Sequence, residues 1–294
     1  MAISVECVLP HRSQLGEGAV WDVADGVLWW VDITAGHIHR FDPSTGGNKS
    51  WDFGEPVGCL ARRDAGGLIV AARSGFHLFD PSTGRREPLA APEADRPGNR
   101  FNDGATDNQG RFWAGTMKDD GGPPARVGQF YRFDPDRSVT PFFEKAYTPN
   151  GMTFSPDGRT MYLSDSNPAM RVIWACDYDP DTGTPSNQRV FFDTARMAGR
   201  PDGGTVDADG CYWMAGVDGA QVVRITPRGK VDRIIDMPVG KPTKPMFGGP
   251  GLDTLFVTSI GAGFDNDPSQ PMAGGLFAIT GLGVSGLSQA RFAG

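Results

Sequence analysis

Six side chains recur at one place in a repeated phrase, and their types decide what chemistry is open to the chain. They are Glu17, Cys59, Asn102, Asn150, Asp202 and Lys244, each at the entrance to a short strand that runs into an Asp/Gly-rich turn. Five of the six are charged or amide-bearing, where a purely structural residue would be small or apolar. Three of them, Glu17, Asn150 and Asp202, are hard oxygen donors. Carboxylate and amide oxygens around one axis suit Ca²⁺, Mg²⁺ or Mn²⁺, and with no thiolate or imidazole in the trio nothing favours zinc. The choice among calcium, magnesium, manganese, zinc and iron stays open. Three protein ligands leave positions for water or substrate, where a divalent ion polarises a carbonyl and acidifies a bound water. An isolated Asn or Asp beside a turn ordinarily bonds its own backbone. Five polar residues converging on one axial funnel argue for a shared site instead.

Convergence requires a closed repeat, and two recurring phrases provide it. One is a strand, an Asp/Gly turn and an aromatic-rich strand, as in "AVWDVADGVLWWVD", "GMTFSPDGRTMYLSD" and "GGTVDADGCYWMAGV". The other is an apolar residue before a tight Asp-Pro turn, as in "FDPSTG" at 41 and again at 79, and "YDPDTG" at 178. Each phrase occurs six times. The turn glycines 26, 67, 110, 158, 210 and 251 are spaced by 41, 43, 48, 52 and 41 residues, a period of solenoids, arrays or propellers. Four antiparallel strands repeated six times predict an all-β, six-bladed β-propeller formed by residues 1–294 as one domain. Independent units of about 45 residues would hold only marginal cores. The segment "ISVECVL" (3–9) has no place in the first unit, and the last unit lacks an outer strand, so the N-terminal strand is expected to close the ring there. With strands alternating in direction, both kinds of tight turn fall on one face and the six funnel residues on the other. The longest loops on the funnel face, 117–129 and 261–275, are the expected substrate walls.

Composition narrows the classes further. The formal net charge is −7 and no Lys/Arg run is long enough to follow a phosphate backbone, which argues against nucleic acid as a partner. No apolar stretch approaches the 18 to 20 or so residues of a membrane span. Cys7, Cys59, Cys176 and Cys211 are widely spaced, form no CxxC and follow no signal-like segment, so reduced thiols and a cytoplasmic location are expected. There is no GxSxG elbow. "HIHRFD" at 37–42 lacks the Asp-His that would continue a metallo-hydrolase motif, and no histidine lies beyond His77. His37 and His39 share one face of a third strand by alternation.

"LGEG" (15–18), "RFNDG" (100–104) with "GTM" (115–117), "PNGM" (149–152), "PDGG" (201–204) and "FGG" (247–249) occur in order on this repeat. In these residues the chain resembles the family of senescence marker protein (regucalcin) and the bacterial gluconolactonases, over essentially its whole length. The resemblance implies a six-bladed propeller with one axial divalent metal, and hydrolysis of a sugar aldonolactone to the aldonic acid. It implies Glu17, Asn150 and Asp202 as metal ligands and Arg100 and Asn102 as substrate-binding residues. A further acidic residue follows "GTM" in that family, and here Asp120 matches it only as a shorter side chain.

Asp202, beside both metal and water, is the expected general base, with plain ligation as its other role. Arg100 either holds sugar hydroxyls and the carboxylate product or pairs with Asp103 or another acid. Lys244 either contacts substrate or pairs with a neighbouring carboxylate. The expected partner is a small sugar lactone, and the expected assembly a monomer or weak homo-oligomer. The alternatives are a calcium-binding regulatory propeller without catalysis and a propeller esterase or phosphotriesterase.

Overall fold

The computed structural model describes residues 2–265 and 267–294. Among them there are 24 strands and no helix, arranged as six four-stranded antiparallel sheets. The innermost strands are Gly16–Asp22, Val57–Arg62, Asn99–Thr106, Pro149–Phe154, Arg200–Val206 and Pro242–Gly248. Each pairs with the strand that follows it in sequence across an Asp/Gly turn. In two of these turns Gly26 and Gly210 have φ of 65° and 80°, a left-handed backbone that side chains resist. The sheets are the blades of a propeller, numbered here 1 to 6 in chain order.

Apolar side chains fill the gaps between neighbouring blades, one cluster per gap. Trp21 of blade 1 stacks on Phe256 of blade 6 at 5.5 Å, and Phe76 of blade 2 on Phe133 of blade 3 at 4.8 Å. Trp213 of blade 5 meets Phe247 of blade 6 edge-on at 5.6 Å. Both faces of every inner strand are therefore buried. The outer strands alternate with exposed polar residues, as in Arg85–Ala90 and Val231–Asp236.

The ring closes as the sequence suggests. Ser4–Leu9 pairs with Leu276–Thr280 as the outer strand of blade 6, from Ser4 opposite Thr280 to Leu9 opposite Leu276. A second closure has no strand pattern to announce it. The tail after residue 280 crosses the turn face beneath the axis. Ala208 N donates to Ser285 O at 2.8 Å, Gly286 N to Leu252 O at 2.7 Å and Phe292 N to Arg62 O at 2.8 Å. Ala293 N donates to Gly110 O at 3.1 Å, and the Arg291 guanidinium reaches Asp22 at 3.0 Å. Five of the six blades are thereby tied to one segment, and Gln289 and Ala290 line the base of the axial cavity.

Phe292 is 1% exposed within the blade 2–3 core. Truncating it to alanine is expected to lower the unfolding free energy by about 3–5 kcal/mol in denaturant titration, the usual cost for a buried aromatic. A change below about 1 kcal/mol would show that the tail is not part of the core.

Candidate functional site

At the axis every inner strand departs from regular pairing near its start. The register slips between Glu17 and Val20, Phe101 and Gly104, Asn150 and Thr153, Pro201 and Gly204, and Pro242 and Pro245, with a shorter slip between Val57 and Cys59. A bulge bends the strand and re-aims its side chains. It explains why two consecutive residues, such as Asn102 and Asp103 or Thr243 and Lys244, are both buried at the axis.

The three oxygen donors are buried there: Glu17 is 4% exposed, Asn150 2% and Asp202 7%. Asn150 Nδ2 donates to Ser166 Oγ at 2.7 Å, and Ser166 Oγ donates to Pro201 O at 2.5 Å. That chain fixes the amide and links it to the strand of Asp202. The other amide atom, Asn150 Oδ1, is buried without a hydrogen-bond partner. Glu17 accepts one bond at Oε2, from Gly18 N at 2.9 Å. Among the described residues no donor reaches either carboxylate oxygen of Asp202. Buried carboxylates elsewhere are saturated: Asp165 takes three backbone N–H bonds, and Asp207 takes two, plus Trp213 Nε1 and Arg224 Nε. An acceptor left bare in the interior costs free energy unless something absent from the protein chain completes it.

Electrostatics point the same way. Burial, with the charge of Asp103 behind it, pushes the Asp202 carboxyl up to about 7. Glu17 is held well above the ordinary carboxylate range by burial, then by Asp202 and Asp103. The donor set fits a divalent cation: two carboxylates that repel one another and one orphaned amide oxygen, all of hard-oxygen type. Among the described residues no three His, Cys, Asp or Glu side chains are gathered to hold a metal by themselves, so a cation at the axis needs Asn150 as its third protein donor. His39 is buried and stacked on Trp30 at 4.0 Å, a packing role.

The remaining expected residues fall into two layers. Above the trio, Arg100 Nη1 donates to Asn102 Oδ1 at 2.7 Å and to Phe101 O at 2.9 Å, and Asn102 Nδ2 donates to Pro149 O at 2.9 Å. Asn102 thus holds the guanidinium in place, and Nη2 has no partner among the described residues. The carboxylate on Arg100 is Asp119, whose Oδ2 lies 3.1 Å from Nε and 2.6 Å from Arg73 Nη2. Asp120 instead lies out on the loop, 3.2 Å from Lys118 Nζ and accepting from Gly122 N at 2.9 Å. Below the trio, Lys244 Nζ sits 2.8 and 3.0 Å from the two oxygens of Asp103, which also accepts from Met152 N at 3.1 Å. Gly203 leaves the space for that lysine stem, since a Cβ there would lie 2.5 Å from Lys244 Cδ. The sequence offered Asp103 as a partner for Arg100, whereas the structure gives Asp103 to Lys244 and puts Asp119, not singled out by sequence, on Arg100. The axial place of Asp103 is hidden because strict alternation sends it away from the face of Asn102. Asp119 is one residue from Asp120, with nothing in the letters to separate them.

Residues 15–261 match the family described as the SMP-30/Gluconolactonase/LRE-like region. The chain belongs to this family. Two of its relatives are regucalcin from Xenopus laevis, 38% identical with 100% of this chain and 99% of the relative covered, and 6-deoxy-6-sulfogluconolactonase from Pseudomonas putida, 38% identical with 99% of each covered. The solved calcium-binding protein regucalcin from Agrobacterium tumefaciens superposes with a TM-score of 0.92 at 29% identity, covering 99% of this chain and 97% of that one. The family likeness spans the five inner-strand starts that carry Glu17, Asn102, Asn150, Asp202 and Lys244.

The raised carboxyls make stability depend on pH in the metal-free state. The folded form binds these protons more tightly than the unfolded chain, whose carboxylates titrate near 4. Their stabilising contribution is present below about pH 4 and is lost as pH rises through the folded value of about 7 for Asp202. Asp202→Asn is therefore expected to raise the Tm of metal-free protein over wild type by a margin that grows from pH 5 to pH 8. A margin independent of pH would contradict the assignment.

Proposed function

We propose that this protein is a metal-dependent sugar lactonase, opening an aldonolactone of the gluconolactone, xylonolactone or arabinonolactone type to its aldonic acid. Hydrolysis of an ester bond in a sugar lactone is the activity that its lactonase relatives support. The observation that carries the metal part is the buried, unpartnered Asn150 Oδ1 beside two carboxylates short of donors.

Glu17, Asn150 and Asp202 would hold the ion, which when bound supplies Lewis acidity to the lactone carbonyl and to a water. Calcium fits the hard donors, and the solved regucalcin relative is described as a calcium-binding protein. The guanidinium of Arg100, pinned by Asn102 and Asp119, presents Nη2 to a ring hydroxyl and afterwards to the carboxylate product. Asp202 takes the proton of the attacking water on its carboxylate, which no protein donor occupies. As hydroxide adds to the carbonyl carbon the ring C–O bond breaks, and the proton passes from Asp202 to the departing ring oxygen. The carboxylic acid so formed loses its remaining proton to solvent and leaves as the carboxylate, and Asp202 is again ionised for the next turnover. A cytoplasmic setting belongs to the same reading, in keeping with four cysteines free of disulfides, as does action as a monomer or weak homo-oligomer.

Two outcomes test it. Chelator-treated protein is expected to release no acid from a panel of pentonolactones and hexonolactones, and to recover on adding back one of Ca²⁺, Mg²⁺, Mn²⁺, Zn²⁺ or Fe²⁺. Turnover that survives chelation contradicts it, while metal binding with no turnover on any lactone gives the regulatory, non-catalytic role instead. Asp202→Asn is expected to lose roughly 10²–10⁴-fold in kcat, the range for a positioned general base. A change of less than about threefold, well short of that range, would leave Asp202 a ligand only.

A further inference from the structure

Lys244 is an unusual tenant of the axis. Its side chain is 3% exposed, its stem passes the bare backbone of Gly203, and its Nζ is clasped by both oxygens of Asp103, itself 1% exposed. Lys244 N is held by Thr258 Oγ1 at 3.1 Å, while Thr243 Oγ1 donates to Gly16 O at 2.5 Å, beside Glu17. The pair is thus built rigidly into the layer under Glu17 and Asp202, and its charges are felt at both carboxyls.

The fixed charges of the well can be counted. Glu17, Asp103 and Asp202 bring three negative charges when ionised, and Lys244 brings one positive. Arg100, 7% exposed, brings a second positive charge, while the neighbouring Arg200–Asp218 pair sums to zero. Asp119, Arg73 and Lys241 lie farther out, 40%, 32% and 34% exposed, where solvent screens them. The buried sum is −1.

Resting on the metal reading above, we propose that Lys244, by neutralising the buried Asp103, holds the charge of the well at a value that favours a divalent over a trivalent oxygen-seeking ion. Ca²⁺ and Tb³⁺ are the probes, since they are close in size and share a preference for oxygen, so that charge is the main difference between them. A buried unit charge within several ångströms, at an effective dielectric near 20, changes the relative affinity of two ions that differ by one charge by about tenfold or more.

The experiment is calorimetric titration of metal-free protein with each ion, comparing the ratio of Tb³⁺ to Ca²⁺ affinity in four proteins. Lys244→Met leaves the well one charge more negative, at −2, and is expected to raise the ratio about tenfold over wild type. Asp103→Asn leaves it one charge less negative, at zero, and is expected to lower the ratio by a similar factor. The double variant Asp103→Asn/Lys244→Met restores the wild-type charge with neutral side chains of similar size, and its ratio is expected to match wild type. If Lys244→Met does not fold, the opposite shift in Asp103→Asn and its reversal in the double variant still decide the matter. Ratios equal across the folded proteins overturn the proposal while leaving the metal site standing. Wild type that binds neither ion removes the metal reading itself.

Discussion

Uncompensated negative charge at the propeller axis is the constraint on which the rest of the structure turns. Glu17, Asp103 and Asp202 come from blades 1, 3 and 5, far apart in sequence, and share one buried well with a single ammonium group. Burying a carboxylate without a partner costs several kcal/mol, and a chain free to relax would let these groups swing into water. They stay because the inner strands that carry them have both faces packed and no slack. The bulges at their starts turn that rigidity to use, presenting consecutive residues to the axis where a regular strand would present every second one.

The surroundings show what the protein does with buried carboxylates when it wants only stability. Asp32 and Asp165 occupy matching places in blades 1 and 4 and take the backbone N–H groups of the loops that lead into those blades. Asp207 locks Arg224 and Trp213 beneath blade 5. Each has its lone pairs occupied. Asp202, a few residues from Asp207 on the same strand and turn, has none of its carboxylate oxygens bonded. The difference between the two is the clearest local sign of function in the molecule, because the same sheet had donors to offer and aims them elsewhere.

Much of this was legible in the letters because the repeat supplies its own frame. Once the turn glycines are aligned, the blades, the ring-closing strand Ser4–Leu9 and the axial positions of Glu17, Asn150 and Asp202 follow from periodicity alone. The partners of the charged residues did not follow. Whether Lys244 meets substrate or an acid depends on Asp103, and Asp103 faces the axis only through a register slip that has no sequence signature. Arg100 was expected to meet sugar or to pair with Asp103 or another acid, and the course of the loop after Lys118 gives it Asp119. The C-terminal tail was invisible for a different reason. "GLGVSGLSQARFAG" makes its contacts one bond at a time, through the backbone to four blades and through Arg291 to a fifth, so no local pattern marks it.

The most direct test of the account is the position of a cation in the folded protein. Crystals soaked in a manganese salt and measured at a wavelength where that metal scatters anomalously should show one axial peak in contact with a carboxylate oxygen of Glu17, Oδ1 of Asn150 and a carboxylate oxygen of Asp202. A peak elsewhere, or an axial well that fills only with water while Asn150 turns its amide to another partner, would contradict it.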